Sequence, residues 1–333
     1  MNITFILGNG FDISFGLDSS YKSFYEWYLL QPSKTQAIKN FKYSIKNEPV
    51  ETWADFEKGL GEYSKKFSLE TIEDFYECYQ DAHYKLMEYL KEQEKDVDIS
   101  SDDLEIFSQS LLNFYQELIP VESELFQSMI NGVTYDIEYN IISLNYTRVI
   151  DNFKENVKIP LKAWNAGGSG RRAFIKALVH AHGYSDKWPI LAVDNVSQLN
   201  EQLLTDPNFQ SLMIKSDAVS VTGENWTDKS KSMINSSNII CLFGVSIGET
   251  DTRWWKHICE WLKNTNHRLV VFWYDNKMTN DNISLLQKMR NERSVKNKIL
   301  EYAHENDKDN LSSRIHVIIN TDSVFSFNKS YTI

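Results

Sequence analysis

Residues 3–17 read ITFILGNGFDISFGL. The apolar run from Ile3 to Leu7 predicts a buried strand, and Gly8, Asn9 and Gly10 break it before a helix-like pattern that carries one acid, Asp12. A strand, a glycine turn and a helix start in so short a span commonly present backbone N–H groups to a phosphate. Glycines also serve where tight turn geometry alone requires them, and GxG is not the full GxGxxG fingerprint, so both readings stand here.

Outward from this stretch the texture changes twice. From Tyr21 to about Asn131 glycines are few and aromatic residues recur at three- and four-residue spacing, as in FYECYQDAHYKLMEYLKEQEK, which predicts a helical insertion over 21–132. Within it, Ser100 or Ser101 is placed to cap a helix whose first turn holds Asp102 and Asp103. From Ile137 onward, apolar runs without alternation return: YNIISLNYT, VKIPLKAW, FIKALVHAHGY, WPILAVDN, SNIICLFGVSIGETD, HRLVVFWYDN and RIHVIIN, separated by helical or polar segments. Such runs predict an α/β fold with a mostly parallel sheet covered by helices on both faces. Residues 1–20 and 133–333 then form the α/β domain. GGSGRR at 167–172 is the small-residue linker.

The composition narrows the function. The formal net charge of −11 lacks the basic stripe that binding to nucleic-acid phosphates needs. The 3 cysteines form no CxxC pair, which fits a reducing cytoplasm and leaves no thiolate zinc site. No basic and apolar leader stands at the N-terminus, and no long apolar run spells a membrane span. GxSxG, HExxH and GxxxxGK[ST] are all absent.

Ligands of open α/β sheets collect beyond the carboxyl ends of the strands. Four unusual groups fall there: Gly8-Asn9-Gly10, Asn145, His182-Gly183, and Gly244 to Asp251. Asn145 can hold a ribose hydroxyl and a water at once, or can cap the helix that begins near Thr147. His180 and His182 stand two apart, a spacing that permits metal ligation, but no third ligand is near, so no metal is expected. His182, at the strand mouth, is the better general base, and His180 reads as buried and hydrogen-bonded. FGVSIGETD suits phosphate or ribose oxygens, or a helix start with Thr250 as cap and Asp251 as dipole partner. WADFE at 53–57 reads as packing, with Glu57 a lesser site candidate.

Taken together, GNGFD (8–12), WADFE (53–57), LNYT (144–147), HAHG (180–183) and FGVSIGETD (243–251) resemble the AbiH family of phage abortive-infection proteins, in order and over residues 3 to about 255. That family in turn looks like a distant branch of the SIR2 superfamily. The resemblance implies a SIR2-like, Rossmann-like domain that takes NAD as substrate. It implies nucleotide contacts from Gly8, Asn9, Gly10, Phe11, Asp12, Tyr146, Gly183, Gly244, Ser246 and Asp251, with Asn145 at the ribose and His182 as catalytic base. Thr147 stands where many SIR2-like proteins have Asp, a departure that bears on how nicotinamide is recognised. The sirtuin zinc ribbon is missing, so the resemblance implies NAD hydrolysis in antiviral defence rather than protein deacylation. Control by a homo-oligomer or a defence-system partner is expected with it, because an unregulated enzyme of this kind would poison its cell. The alternative is a nucleotide-binding sensor or regulatory subunit that cleaves nothing.

Overall fold

In the computed structural model, residues 1–49, 53–164, 170–187, 189–276 and 284–327 are described. Seven strands form one sheet: β1 (Asn2–Leu7), β2 (Ile137–Ser143), β3 (Lys162–Trp164), β4 (Arg171–His180), β5 (Ile239–Phe243), β6 (Arg268–Trp273) and β7 (Ile315–Ile319). Their order is β3-β4-β2-β1-β5-β6-β7. Every pairing is parallel except β3 with β4 at one edge. Without that antiparallel edge strand, the parallel strands run third, second, first, fourth, fifth, sixth, the order of the doubly wound α/β sheet. The order reverses between β1 and β5.

Both faces of the sheet are covered, as the unbroken apolar runs predict. On one face Phe5, Tyr139, Ile141 and Val270 pack with Phe107, Phe114 and Phe126. On the other, Ile6, Ile142, Leu242 and Val271 pack with Trp254, Trp255 and Ile299. Burial of one large aromatic side chain contributes about 2–3 kcal/mol, so these two layers are the main cohesive term of the sheet.

The helices between β1 and β2 are α1 (Gly10–Ser14), α2 (Tyr21–Leu30), α3 (Gln36–Asn47), α4 (Phe56–Ser64), α5 (Ile72–Glu94), α6 (Ser101–Asn113) and α7 (Pro120–Asn131). They divide by what they bury. Helices α6 and α7 supply the aromatic residues that lie on the sheet, whereas α2 to α5 enclose a second cluster around Phe24, Phe41, Phe56 and Phe75. Ser100 caps α6 as anticipated: its hydroxyl accepts from the Asp103 N–H, and Asp103 returns its carboxylate to the Ser100 N–H, a reciprocal capping box.

Two segments depart from the sequence reading. WPILAVDN does not join the sheet: Trp188 lies outside the described residues, and the rest pairs only through a single bridge between Val193 and Ile214. Leu191 and Val193 are apolar because they close the helical cluster, packing with Phe209 and Met213. VKIPLKAW gives only the three residues of β3. Of GGSGRR, residues 167–169 lie outside the described residues, and Arg171 and Arg172 begin β4. Among the described residues, no helix is long and apolar enough to cross a membrane.

The remaining helices follow β2 in turn: α8 (Val149–Asn156), α9 (Pro207–Met213), α10 (Lys215–Thr222), α11 (Trp226–Ser236), α12 (Thr252–Trp261), α13 (Leu285–Leu300) and α14 (Lys308–Ser312).

Candidate functional site

Strand register brings the remote motifs together. Leu7 pairs with Ser143 and with Phe243, and Ser143 pairs with His180. The ladder continues one step further: Gly8 N–H donates to the Phe243 carbonyl, Leu144 N–H to Leu7 and Ala181 N–H to Ser143, at 2.8–2.9 Å. The loops after β1, β2, β4 and β5 therefore leave the sheet side by side at the point where strand order reverses, which is where ligands of such sheets bind.

The glycines there have a packing role. Gly244 has φ +66°, and a Cβ on Gly10 would lie 2.4 Å from the Gly244 Cα, while one on Gly8 would lie 2.5 Å from the Gly244 carbonyl oxygen. Gly10 N–H donates to that same oxygen at 3.0 Å. The missing side chains let the β1 and β5 loops touch. Helix α1 has only five residues, too few for a sizeable macrodipole. Asn9 turns away to Ser19, whose hydroxyl it accepts at 2.6 Å. The side chain of Phe11, another of the implied nucleotide contacts, is fully buried among Phe107, Phe153, Phe325 and Phe327, the Phe325 ring standing edge-on at 5.2 Å.

Asn145 does not cap helix α8, which begins at Val149. Its amide donates to the Gly8 carbonyl at 3.1 Å, linking the β1 and β2 loops. Asp12 lies beneath, accepting the Thr147 hydroxyl at 2.5 Å. Burial pushes the Asp12 carboxyl up to about 7, against the opposing hydrogen bonds from Thr147 and Asn145.

The two histidines diverge. His180 is structural: one ring nitrogen lies 3.1 Å from the Asn145 carbonyl and the other 2.8 Å from Asp151 Oδ2, with Tyr184 packed on the ring. His182 instead sets Nε2 3.0 Å from Asp251 Oδ1. That contact draws in one residue absent from the sequence reading. Lys215, the first residue of α10, places Nζ 2.7 Å from Asp251 Oδ1, 2.7 Å from Glu57 Oε2 and 2.8 Å from the Thr250 carbonyl. Tyr146 donates its hydroxyl to Glu57 Oε1 at 2.8 Å. Exposure of these side chains is negligible: Lys215 0%, His182 4%, Glu57 5%, Tyr146 7%.

The charges are mutually conditioned. Burial alone would depress the Lys215 ammonium, but Asp251, Glu57 and Asp194 outweigh it and hold its pKa above the ordinary value. Burial likewise opposes ionisation of Asp251, yet Lys215 and His182 keep it well below the usual carboxylate range. At Glu57 burial prevails over the opposing influence of Lys215 and raises the carboxyl.

Helix α4 closes the site from outside. Thr250 gives its hydroxyl to Asp55 at 2.7 Å rather than capping α12. Lys58 pairs with Glu249, and Asp194 accepts the Arg253 N–H in the first turn of α12. Ser246 is exposed at the rim, and Gly183, with φ +79°, turns the chain behind His182. One surface groove of about 350 Å³ lies near the site, lined by Tyr79, His83 and Tyr84 with Ile190 and Val221. It is separate from the His182 cluster, which is filled by the protein's own side chains.

The sequence pattern of one known family, Bacteriophage abortive infection AbiH, matches residues 4–274, a span that holds all four loops and the 53–57 segment. No curated protein matches the chain.

Proposed function

The chain belongs to the AbiH family of bacteriophage abortive infection proteins, and from that premise we propose that it is a SIR2-like NAD hydrolase that cleaves the nicotinamide–ribose bond in antiphage defence. The observation that carries this reading is the strand register that sets the loops bearing Asn145 and His182 side by side next to the reversal point of a doubly wound sheet, with His182 against the Asp251 carboxylate.

The chemistry suits these groups. The C1′–N bond breaks with its electron pair leaving on nicotinamide, a neutral pyridine that needs no acid, and the ribose passes through an oxocarbenium-like state. A water oxygen then bonds to C1′ and gives up a proton. His182 takes that proton, and Asp251 pairs with the imidazolium, as an orienting carboxylate does in hydrolytic triads. Asn145 holds a ribose hydroxyl and the water with its carbonyl oxygen and amide. Asp12, buried beneath these loops and neutral below about pH 7, sets no negative charge against a phosphate bound above it.

His182 is buried, and Glu57 and Asp55 hold Lys215 and Thr250 beside it, so on this reading substrate reaches it only after α4 withdraws. A closed resting state fits an enzyme whose constant activity would kill its host. The helices of the 21–132 insertion are then the lever on which an assembling copy or a defence-system partner acts.

The test is infection itself. Cells expressing the full chain, or Asn145→Ala or His182→Ala, are challenged with phage while NAD and free nicotinamide are followed. NAD loss with nicotinamide release in the parent alone supports hydrolysis. Defence that survives both substitutions with NAD intact overturns it in favour of a non-catalytic sensor.

A further inference from the structure

A lysine ammonium has three protons and no lone pair. All three of Lys215 are directed at acceptors: Glu57, Asp251 and the Thr250 carbonyl. None remains for His182 Nε2, which stands 3.4 Å from the same Nζ and 3.0 Å from Asp251 Oδ1. The shorter contact is then made by a proton on Nε2, which leaves the lone pair of the neutral ring on Nδ1. Where Asp251 stands decides which nitrogen is basic.

Asp251 is held for that task. It occupies the N-cap position of α12, where an aspartate ordinarily bonds the N–H groups of the first turn, yet it makes no such bond. Asp194 from another segment accepts the Arg253 N–H instead. The Asp251 carboxylate is thereby left to Lys215 and His182. Stability alone does not account for this arrangement, because buried ion clusters are commonly no more stabilising than apolar residues of similar volume.

We propose that Lys215 is the positioning residue of the site: it fixes Asp251 against His182, and so sets the tautomer of the base, while Glu57 tethers it to helix α4. The role belongs to Lys215 as a linker between a helix outside the sheet and the loop after β5. It rests on the reading of His182 as the base, but its test needs no turnover.

Full-length protein labelled with 15N-histidine is examined at pH 8 by long-range proton–nitrogen correlation, with the His182 signal identified by its loss in His182→Gln. The parent is expected to show a single Nε2–H tautomer. Lys215→Met is expected to give a mixture or the Nδ1–H form. Because that change strands two buried carboxylates, the charge-balanced pair Glu57→Gln with Lys215→Met is run beside it, and thermal melts establish which variants fold. Glu57→Gln alone should keep the parent tautomer, since the amide oxygen still accepts from Nζ. An unchanged Nε2–H tautomer in the folded double variant overturns the proposal, as does loss of that tautomer in Glu57→Gln alone. A parent that shows the expected tautomers but never releases nicotinamide refutes NAD hydrolysis and leaves the role of Lys215 standing.

Discussion

If Gly8, Gly10 and Gly244 exist so that two loops can touch, alanine at each should destabilise the fold in a graded way set by local geometry. Gly170 is the baseline, with nothing within 4 Å of an added Cβ. Gly223 has φ +69° but open space around it, so alanine there meets only the left-handed backbone cost of about 1–2 kcal/mol. Gly8 and Gly10 meet backbone atoms at 2.5 and 2.4 Å, and backbone cannot rotate away, so the overpacking cost is about 1–3 kcal/mol. Gly244 combines both faults, with φ +66° and Gly10 Cα at 2.5 Å, for about 2–5 kcal/mol. A chain of 333 residues has an unfolding entropy of about 0.7 kcal/mol/K, so 1 kcal/mol lowers the melting temperature by about 1.4 °C. The expected losses are below about 1 °C for Gly170→Ala, about 1–3 °C for Gly223→Ala, about 1–4 °C for Gly8→Ala and Gly10→Ala, and about 3–7 °C for Gly244→Ala. Scanning calorimetry or a dye-based melt measures this series. A Gly244→Ala protein that melts no lower than Gly223→Ala refutes the loop-contact account. So does a Gly10→Ala protein with the parental melting temperature and weakened nucleotide binding, which is the signature of a glycine facing a ligand.

Asp12 makes a pH prediction of the less usual sign. Its folded-state pKa of about 7 lies above the unfolded value of about 3.8, so the native state holds the proton more tightly; its contribution is greatest below about pH 4 and falls as pH rises to about 7, by on the order of 4 kcal/mol. Between pH 5 and 8 the parent should therefore lose about 4 °C more than Asp12→Asn, and equal pH dependence in the two proteins would exclude a raised Asp12. The two lysines that meet glutamates should differ sharply. The exposed Lys58–Glu249 pair predicts a change within about 0.5 kcal/mol for Lys58→Ala, whereas Lys215→Met leaves buried carboxylates unpaired at a cost of about 3–5 kcal/mol, or about 4–7 °C. Comparable melts for the two variants would contradict the burial of Lys215.

The legibility of this fold in its sequence follows the range of the forces involved. Ile3 to Leu7, IISL and IICLF announce themselves as doubly buried strands because nearly every residue is apolar whichever face the chain turns it to, and the Ser100 capping box is written within four residues. Burial by itself carries no geometry, however. WPILAVDN has the same apolar texture as the true strands, but its Leu191 and Val193 are buried by helices, and only the three-dimensional neighbours distinguish the two cases. The glycines are ambiguous for a related reason: a missing Cβ makes room, and the sequence does not say whether a phosphate or Gly244 fills it. His182 and Asp251 could be found because they follow strands. Lys215 could not, since a lysine beginning a polar helix ordinarily faces water, and its burial depends on acids from α4 and from the loop after β5. Glu57 gave a partial signal, an acid among the aromatic residues of WADFE, but a first-turn glutamate is ordinary helix chemistry. What separates the legible residues from the hidden ones is whether a side chain answers to its own strand or helix, or to a charge brought beside it by the closing of the whole chain.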